Sequence, residues 1–550
     1  MRNWRKMWII EFFIETIVKD SELISLPFTA VKQAVRLKFF SPCHKIKVKI
    51  IVKGTLEMDN RLERGAGILL PISSLPSPYG IGTLGEEAYK FVRKLKAAGQ
   101  KYWQVLPVGP TSYGDSPYQS FSAFAGNPYF IDLVTLKNEN LLYEEELQEL
   151  QNNETDEYIS YEMLWQQRFP ILQKAHARFT ITSEYEEFLR QEQFWLNDYA
   201  LFMACKNYFG QKSWLEWDDD IRNRTCEGVE KYRNLLAREI SFWMFIQFTF
   251  YKQWKKLKTY ANDLGIKIIG DIPIYVAMDS VDIWMSPSQF RMNEQGEPTQ
   301  VAGCPPDIFS EDGQKWGNPL YNWSEMEQDD FAWWRKRMKA SAKLYDVIRI
   351  DHFIGIVRYY VIPIEKTAKD GWYEKGPGEK LIKAIKESIG DARIIAEDLG
   401  VLTDEVKALL KKSGFPGMKV LEFAFENNPK NMYLPHNYEH NCVMYGGTHD
   451  NDTLLSYFQH LGNEAKEHAF HYCGACGMED IIDKVFLMAY RSVADVVIFQ
   501  MQDVLQKGNS ARMNLPSTLG QNWKWRLQHG EFTDKIQQKL RNLAYTFDRI

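Results

Sequence analysis

Tyr345-Asp346-Val347-Ile348-Arg349-Ile350-Asp351-His352-Phe353 is an apolar run rich in β-branched residues that stops on a carboxylate. The pattern recurs twice. Arg393 to Ala396 runs into Glu397-Asp398-Leu399-Gly400, and Cys442 to Tyr445 runs, through two glycines, into Thr448-His449-Asp450-Asn451-Asp452. Short apolar runs of this kind read as strands buried on both faces. Carboxylates are costly to bury, so three acidic motifs at strand ends point to a site rather than a core. Gly270-Asp271-Ile272-Pro273 places a fourth carboxylate at the end of another such run.

Working outward, further strands are predicted at Gly67 to Ile72, Tyr102 to Leu106, Ile266 to Ile269, Met418 to Phe423 and Val496 to Gln500, with the third acidic strand beginning at Asn441. Helical patterns separate most of them. Glu86 to Ala98 carries Ala88, Phe91, Val92 and Leu95 at helical spacing and closes on Gly99, and Thr403 to Ser413 is a second case. Eight strands alternating with helices predict an α/β fold of the (β/α)₈ TIM-barrel class. Two long connections interrupt it. The stretch at about 134–263 has no strand signal and shows helical faces, such as Trp195, Tyr199, Phe202 and Met203, so it reads as a helical insertion subdomain. The stretch at about 277–322 is rich in Pro, Gly and Asp and reads as a long active-site loop. The barrel is expected over 58–550.

The first 57 residues stand apart, with 11 Lys/Arg against 5 Asp/Glu where the remainder has 56 against 67. Met7 to Val18 resembles a signal core, but Glu11 and Glu15 interrupt it and no A-x-A site follows. This segment is read as an atypical N-terminal extension, with Met58 as an alternative start. No apolar run reaches the roughly 18 residues a membrane span requires. A net charge of −5 with no long basic block argues against nucleic acid. Seven scattered cysteines, an odd number, suit a reducing cytoplasm better than a disulfide framework. The aromatic share is 14%, and flat rings that fill a core also stack on the apolar faces of sugars.

Several motifs have plainer readings. Gly80-Ile81-Gly82-Thr83-Leu84-Gly85 matches a dinucleotide fingerprint, but two prolines separate it from the strand and no acidic residue ends the next strand. Cys473-Gly474-Ala475-Cys476 lacks the second pair of a zinc ribbon. His468 and His471 read as a solvated helix face. A metal site of the amidohydrolase kind wants a His-x-His on the first strand, which has none. The Arg349/Asp351 pair, two apart on a strand, faces one side and points into the barrel; an Arg there keeps an Asp ionised, as a nucleophile requires, although an ion pair at a strand end is also an ordinary structural feature. One Asp and one Glu acting on a common centre suffice to break a glycosidic bond.

From about Gly65 to Leu527 the chain resembles the 4-α-glucanotransferases called amylomaltase or disproportionating enzyme, of the glycoside hydrolase family 77 type. The likeness rests on Leu70-Pro71-Ile72-Ser73-Ser74-Leu75-Pro76, on the run from Ser116-Pro117-Tyr118 to Gly126-Asn127-Pro128, and on Gly270 to Tyr275, Trp316-Gly317-Asn318-Pro319-Leu320-Tyr321 and Arg512-Met513-Asn514. The resemblance implies a barrel akin to that of α-amylases and transfer of α-1,4-glucan segments between maltooligosaccharides with retention of configuration. It implies Asp351 as nucleophile, Glu397 as general acid/base and Asp450 as transition-state stabiliser, with carboxyl groups 351 and 397 roughly 5–5.5 Å apart. It further implies sugar contacts from Asp271, Arg349, His352, His449, Tyr118, Trp316 and Asn514. Transfer also needs water kept out while the leaving glucan is exchanged, and the loop from Ala302 to Asn322 is expected to fold over the cleft to do so. Ser517-Thr518 departs from the glycine common there in the family. An amylase-type glucan hydrolase and a non-catalytic glucan-binding protein are the alternatives. Neither a metal nor an organic cofactor is indicated, and monomer or homo-oligomer is left open.

Overall fold

In the computed structural model, which describes residues 60–150, 157–306, 311–426 and 428–550, the apolar runs assemble as parallel strands. They are β1 (Gly65–Leu69), β2 (Tyr102–Gln104), β3 (Lys267–Ile272), β6 (Val347–Ile350), β9 (Arg393–Ala396), β10 (Gly417–Val420), β11 (Cys442–Tyr445) and β12 (Val496–Gln500). They close in the order β1-β12-β11-β10-β9-β6-β3-β2. Three of the eight predicted spans match to the residue. Others overrun at their C-terminal ends, where the chain tightens into single turns at Ile72–Ser74 and Leu421–Phe423.

Alternation along each strand divides the barrel into an inside and an outside. Leu69, Ile269, Val347, Ile395, Met418, Val443, Tyr445 and Ile498 belong to one buried cluster that fills the interior. Their neighbours Ile68, Ile268, Ile348, Ile394, Met444 and Val497 pack outward in the larger core. Gly270 is needed for this packing, since a β-carbon there would lie 2.2 Å from the ring of Tyr345. The outward face is covered by amphipathic helices. Helix Glu86–Ala97 buries Ala88, Phe91, Val92 and Leu95, the face read from the sequence, with Glu86 and Glu87 in its first turn and Lys94 and Lys96 in its last.

Between β2 and β3 the chain is helical, with Tyr161–Arg178, Ser183–Tyr208 and Ala237–Asp263 its longest helices, and the last leads directly into β3. The 277–322 connection differs from the predicted irregular loop. It contributes β4 (Gln300–Cys304) and β5 (Gln314–Pro319), which join β7 (Arg358–Pro363) and β8 (Trp372–Lys375) in a four-stranded sheet of order β5-β4-β7-β8. The pairing of β4 with β7 is antiparallel and spans some sixty residues of sequence, so no local period announces it. The predicted extension over 1–57 and the alternative start at Met58 lie outside the described residues. Among those described, no helix is long and apolar enough to cross a membrane, and Cys473 and Cys476 are not joined in a disulfide.

Candidate active site

Parallel register brings the acidic motifs together. Ile350 pairs with Ala396 across β6 and β9, so Asp351 and Glu397 are the next residues on two adjacent strands. Val347 and Ile395 face the interior, and by the two-residue period Arg349, Asp351 and Glu397 share that face. Both strands extend their ladders one step further. Asp351 N–H donates to Ile272 O at 3.0 Å, and Glu397 N–H donates to Ile350 O at 3.1 Å. The chain then turns sharply at His352, whose φ of 51° lies in the left-handed region.

Arg349 is the cation at the centre. Its Nη1 lies 2.7 Å from both oxygens of Asp271 and 2.9 Å from Asp351 Oδ1, and its Nε donates to Met418 Sδ at 3.4 Å. Asp271 pairs with Arg349 in the β3–β6 register, so this bond follows from the same alignment. The Asp271 side chain is sealed from solvent and that of Asp351 is 28% exposed, which leaves Asp351 reachable from the mouth.

Glu397 is the opposite case. Burial, and next the negative charge of Asp351, hold its carboxyl well above the ordinary range, against the pull of Arg349 and of the His352 N–H. That N–H donates to Glu397 Oε2, and Leu399 N–H donates to Oε1 at 3.1 Å. One carboxyl is therefore built to keep a proton beside another that is ion-paired with Arg349, the division of labour that acid and nucleophile require.

Asp450 is fixed from three directions. Asn514 Nδ2 donates to Oδ1 at 2.6 Å, His449 Nε2 stands 3.4 Å from Oδ2, and Arg512 Nη2 donates to the Asp450 carbonyl at 2.7 Å. Burial opposes its ionisation, but His449, Asn514 and Arg349 outweigh it and hold the carboxyl at about 2. The same contact with Asp450 raises His449 against its own burial, whereas burial lowers His352.

Aromatic rings line the mouth. Tyr118 donates to Asp271 Oδ2 at 2.9 Å and stacks on His449 with centroids 5.0 Å apart. Trp316, carried on β5, sets its ring edge-on to His352 at 4.9 Å. All ten residues singled out in the sequence are thus linked by direct contacts or shared register at one end of the barrel. Two partners were missed. Arg512 ties Asp450 to Asn514, donating also to Asn514 O at 2.8 Å, and Trp523 lies 5.8 Å from the rings of both Tyr118 and His449. The Arg512-Met513-Asn514 motif carried the signal for the first; nothing local marks Trp523. Ser517, the departure from the family pattern, has a φ of 64°, the conformation glycine adopts most readily. No group of three or more His, Cys, Asp or Glu side chains among the described residues is arranged to hold a metal ion.

Residues 70–533 match the 4-alpha-glucanotransferase family model. The chain belongs to this family. The 4-alpha-glucanotransferase of Clostridium butyricum is 50% identical over 483 residues, 87% of this chain and 99% of the relative. That of Thermus thermophilus is 44% identical over 503 residues, covering 89% and 100%. Among solved structures, the amylomaltase from Streptococcus agalactiae, in complex with acarbose, superimposes with a TM-score of 0.86 at 42% identity, over 88% of this chain and all of that one. An amylomaltase from Corynebacterium glutamicum shares the fold at 17% identity, with a TM-score of 0.72 over 88% and 75%. The barrel, its helical insertion and the four-stranded sheet are therefore a 4-alpha-glucanotransferase scaffold.

Proposed function

We propose that this chain is a 4-α-glucanotransferase that moves α-1,4-glucan segments from one maltooligosaccharide or glucan to the 4-hydroxyl of another by a retaining double displacement. The observation that carries the reading is the pairing of Ile350 with Ala396, which sets an ion-paired Asp351 and a proton-holding Glu397 side by side at the barrel mouth. Glu397 donates its proton to the departing glycosidic oxygen while Asp351 attacks the anomeric carbon, giving a covalent glucosyl-enzyme. Glu397, now ionised, takes the proton from the 4-hydroxyl of the incoming glucan, which displaces Asp351. Two inversions restore the starting configuration. Asp450, kept ionised by His449 and Asn514, offsets positive charge at the oxocarbenium-like transition state. Asp271, Arg349, His352 and His449 hold the sugar at the cleaved bond, and Tyr118 and Trp316 supply ring faces and edges for neighbouring glucose units.

Transfer and hydrolysis share the intermediate and differ only in the acceptor, so membership of the 4-alpha-glucanotransferase family selects transfer. Incubating the pure protein with maltotriose tests this. Glucose together with maltopentaose and longer chains is expected. Glucose and maltose alone would indicate a hydrolase, and unchanged maltotriose would indicate a protein that binds without turnover.

A further inference from the structure

Behind the turn that carries His449 and Asp450 lies a second acidic group that the reaction does not use. Glu422 sits in the single turn Leu421–Phe423 after β10, and its N–H donates to Gly446 O at 3.3 Å. Its Oε1 is sealed from solvent without a hydrogen-bond partner, and a β-carbon on Gly447 would come within 2.5 Å of it. Asn451 packs against the same face of Gly447, its Cβ 3.0 Å from where a Gly447 β-carbon would lie, so its side chain adjoins the Glu422 carboxyl. Asn451 Oδ1 in turn accepts from Thr448 N–H at 2.9 Å and from Thr448 Oγ1 at 2.8 Å. Thr448 Oγ1 then accepts from Asp450 N–H at 3.3 Å. A continuous set of contacts therefore runs from Glu422 to the backbone of Asp450.

We infer that Glu422 is a positioning residue for the transfer reaction: through Asn451 and Thr448 it props the turn that presents Asp450 to the sugar. The inference rests on the transferase reading above. Glu422 acts as an uncharged acid. The groups around it are Asp503 in the turn after β12, Asp452 after β11, Arg512 and Tyr457. Burial, then the charges of Asp503 and Asp452, push the Glu422 carboxyl well above its usual range, against Arg512 and Asn451. Asp503 Oδ2 is likewise sealed without a partner, while its Oδ1 accepts from Leu454 N–H at 2.7 Å. Burial raises Asp503 to about 7. Acidic side chains crowded into one dry space cannot all ionise, so at least one keeps its proton.

Glu422→Gln keeps the shape packed against Gly447 and Asn451 but cannot ionise, whereas Glu422→Ala removes the prop. With maltotriose as substrate, Glu422→Gln should keep kcat within about twofold of wild type. Glu422→Ala should lose roughly tenfold or more in kcat with KM changed by less than about threefold, because a catalytic group shifted by a fraction of an ångström spoils the transition state more than binding. The second readout is thermal stability against pH, followed on all three proteins. A carboxyl whose folded pKa is raised weakens the folded state as pH rises above its unfolded value of about 4.3, so Glu422→Gln should gain Tm over wild type between about pH 5 and pH 8. Wild-type kcat in Glu422→Ala, an equal loss in both variants, or a Glu422→Gln Tm difference that stays flat with pH would overturn the inference. The wild-type product pattern judges the transferase reading separately, and the Tm series bears on Glu422 whatever that pattern shows.

Discussion

Replacing Arg349 with Met removes the one guanidinium that Asp271 and Asp351 share. Both Asp271 oxygens lose a 2.7 Å contact with a cation, in a place where the two side chains are 0% and 4% exposed. Among the described residues, only Tyr118 still donates to the Asp271 carboxyl. Stripping one partner from a buried ion pair destabilises by about 3–5 kcal/mol, because the remaining charge is left in a dry environment. At about 2.1 cal/mol/K of unfolding entropy per residue, a unit of roughly 490 residues loses about 1 °C of Tm per kcal/mol, so Arg349→Met should melt about 3–5 °C lower. The deficit should depend on pH with a definite sign. Burial already raises Asp271, and Arg349 is the leading opposing charge. Without Arg349 the folded pKa rises further, so the penalty is small near about pH 4 and grows as pH climbs above the unfolded value. Asn at position 271 needs no countercharge, and the Asp271→Asn/Arg349→Met double variant should recover most of the lost Tm. Its kcat should stay about 10²-fold down, since Asp351 has still lost its 2.9 Å partner. Calorimetry across pH, with kinetics on maltotriose, follows all of these. A single variant that melts with wild type, or a double variant less stable than the single, would refute the reasoning.

Glu397→Gln should lower kcat on maltotriose by about 10²–10⁴-fold, and the loss in forming the intermediate should shrink sharply with an α-glucosyl fluoride donor, whose leaving group needs no proton. Because burial and Asp351 raise Glu397, wild-type activity should persist on the acid side of that raised pKa and fall as pH rises through it, a limb absent from the Gln variant in a pH–rate profile. Asp450→Asn should lower kcat by about 10²–10³-fold with little change in KM, and Asn514→Ala should do so by roughly tenfold, as steady-state kinetics will show. Trp316→Ala should raise KM for maltooligosaccharides about 2- to 12-fold, the equivalent of about 0.5–1.5 kcal/mol of ring contact.

The barrel was legible because its strands are buried on both faces. Val347–Ile350, Arg393–Ala396 and Val496–Gln500 are compact apolar runs whose ends chemistry marks, either by a carboxylate or by the start of a turn. The acidic residues of the site were legible for the same reason, since a charge following such a run must emerge at the barrel mouth. The small sheet was not. Gln300–Cys304 and Gln314–Pro319 hold Gly, Pro and polar residues, and their strand character comes from pairing with Arg358–Pro363 rather than from any period of their own. Arg358–Pro363 carries the local signal of a strand, with two tyrosines, Val and Ile, but nothing in that signal assigns it to a second sheet rather than to the barrel. Trp523 reaches Tyr118 and His449 by tertiary packing alone, and the prop at Glu422 becomes visible only when Gly447 is seen to lie against its carboxyl.

The most direct test of the central claim is to trap the intermediate. Glu397→Gln enzyme incubated with α-glucosyl fluoride, quenched in acid, digested and examined by mass spectrometry should carry one glucosyl adduct on the peptide containing Asp351. The adduct should be absent when Asp351 is also changed to Asn. A sugar attached to any other residue, or turnover of the fluoride with inverted product and no adduct, would contradict the account.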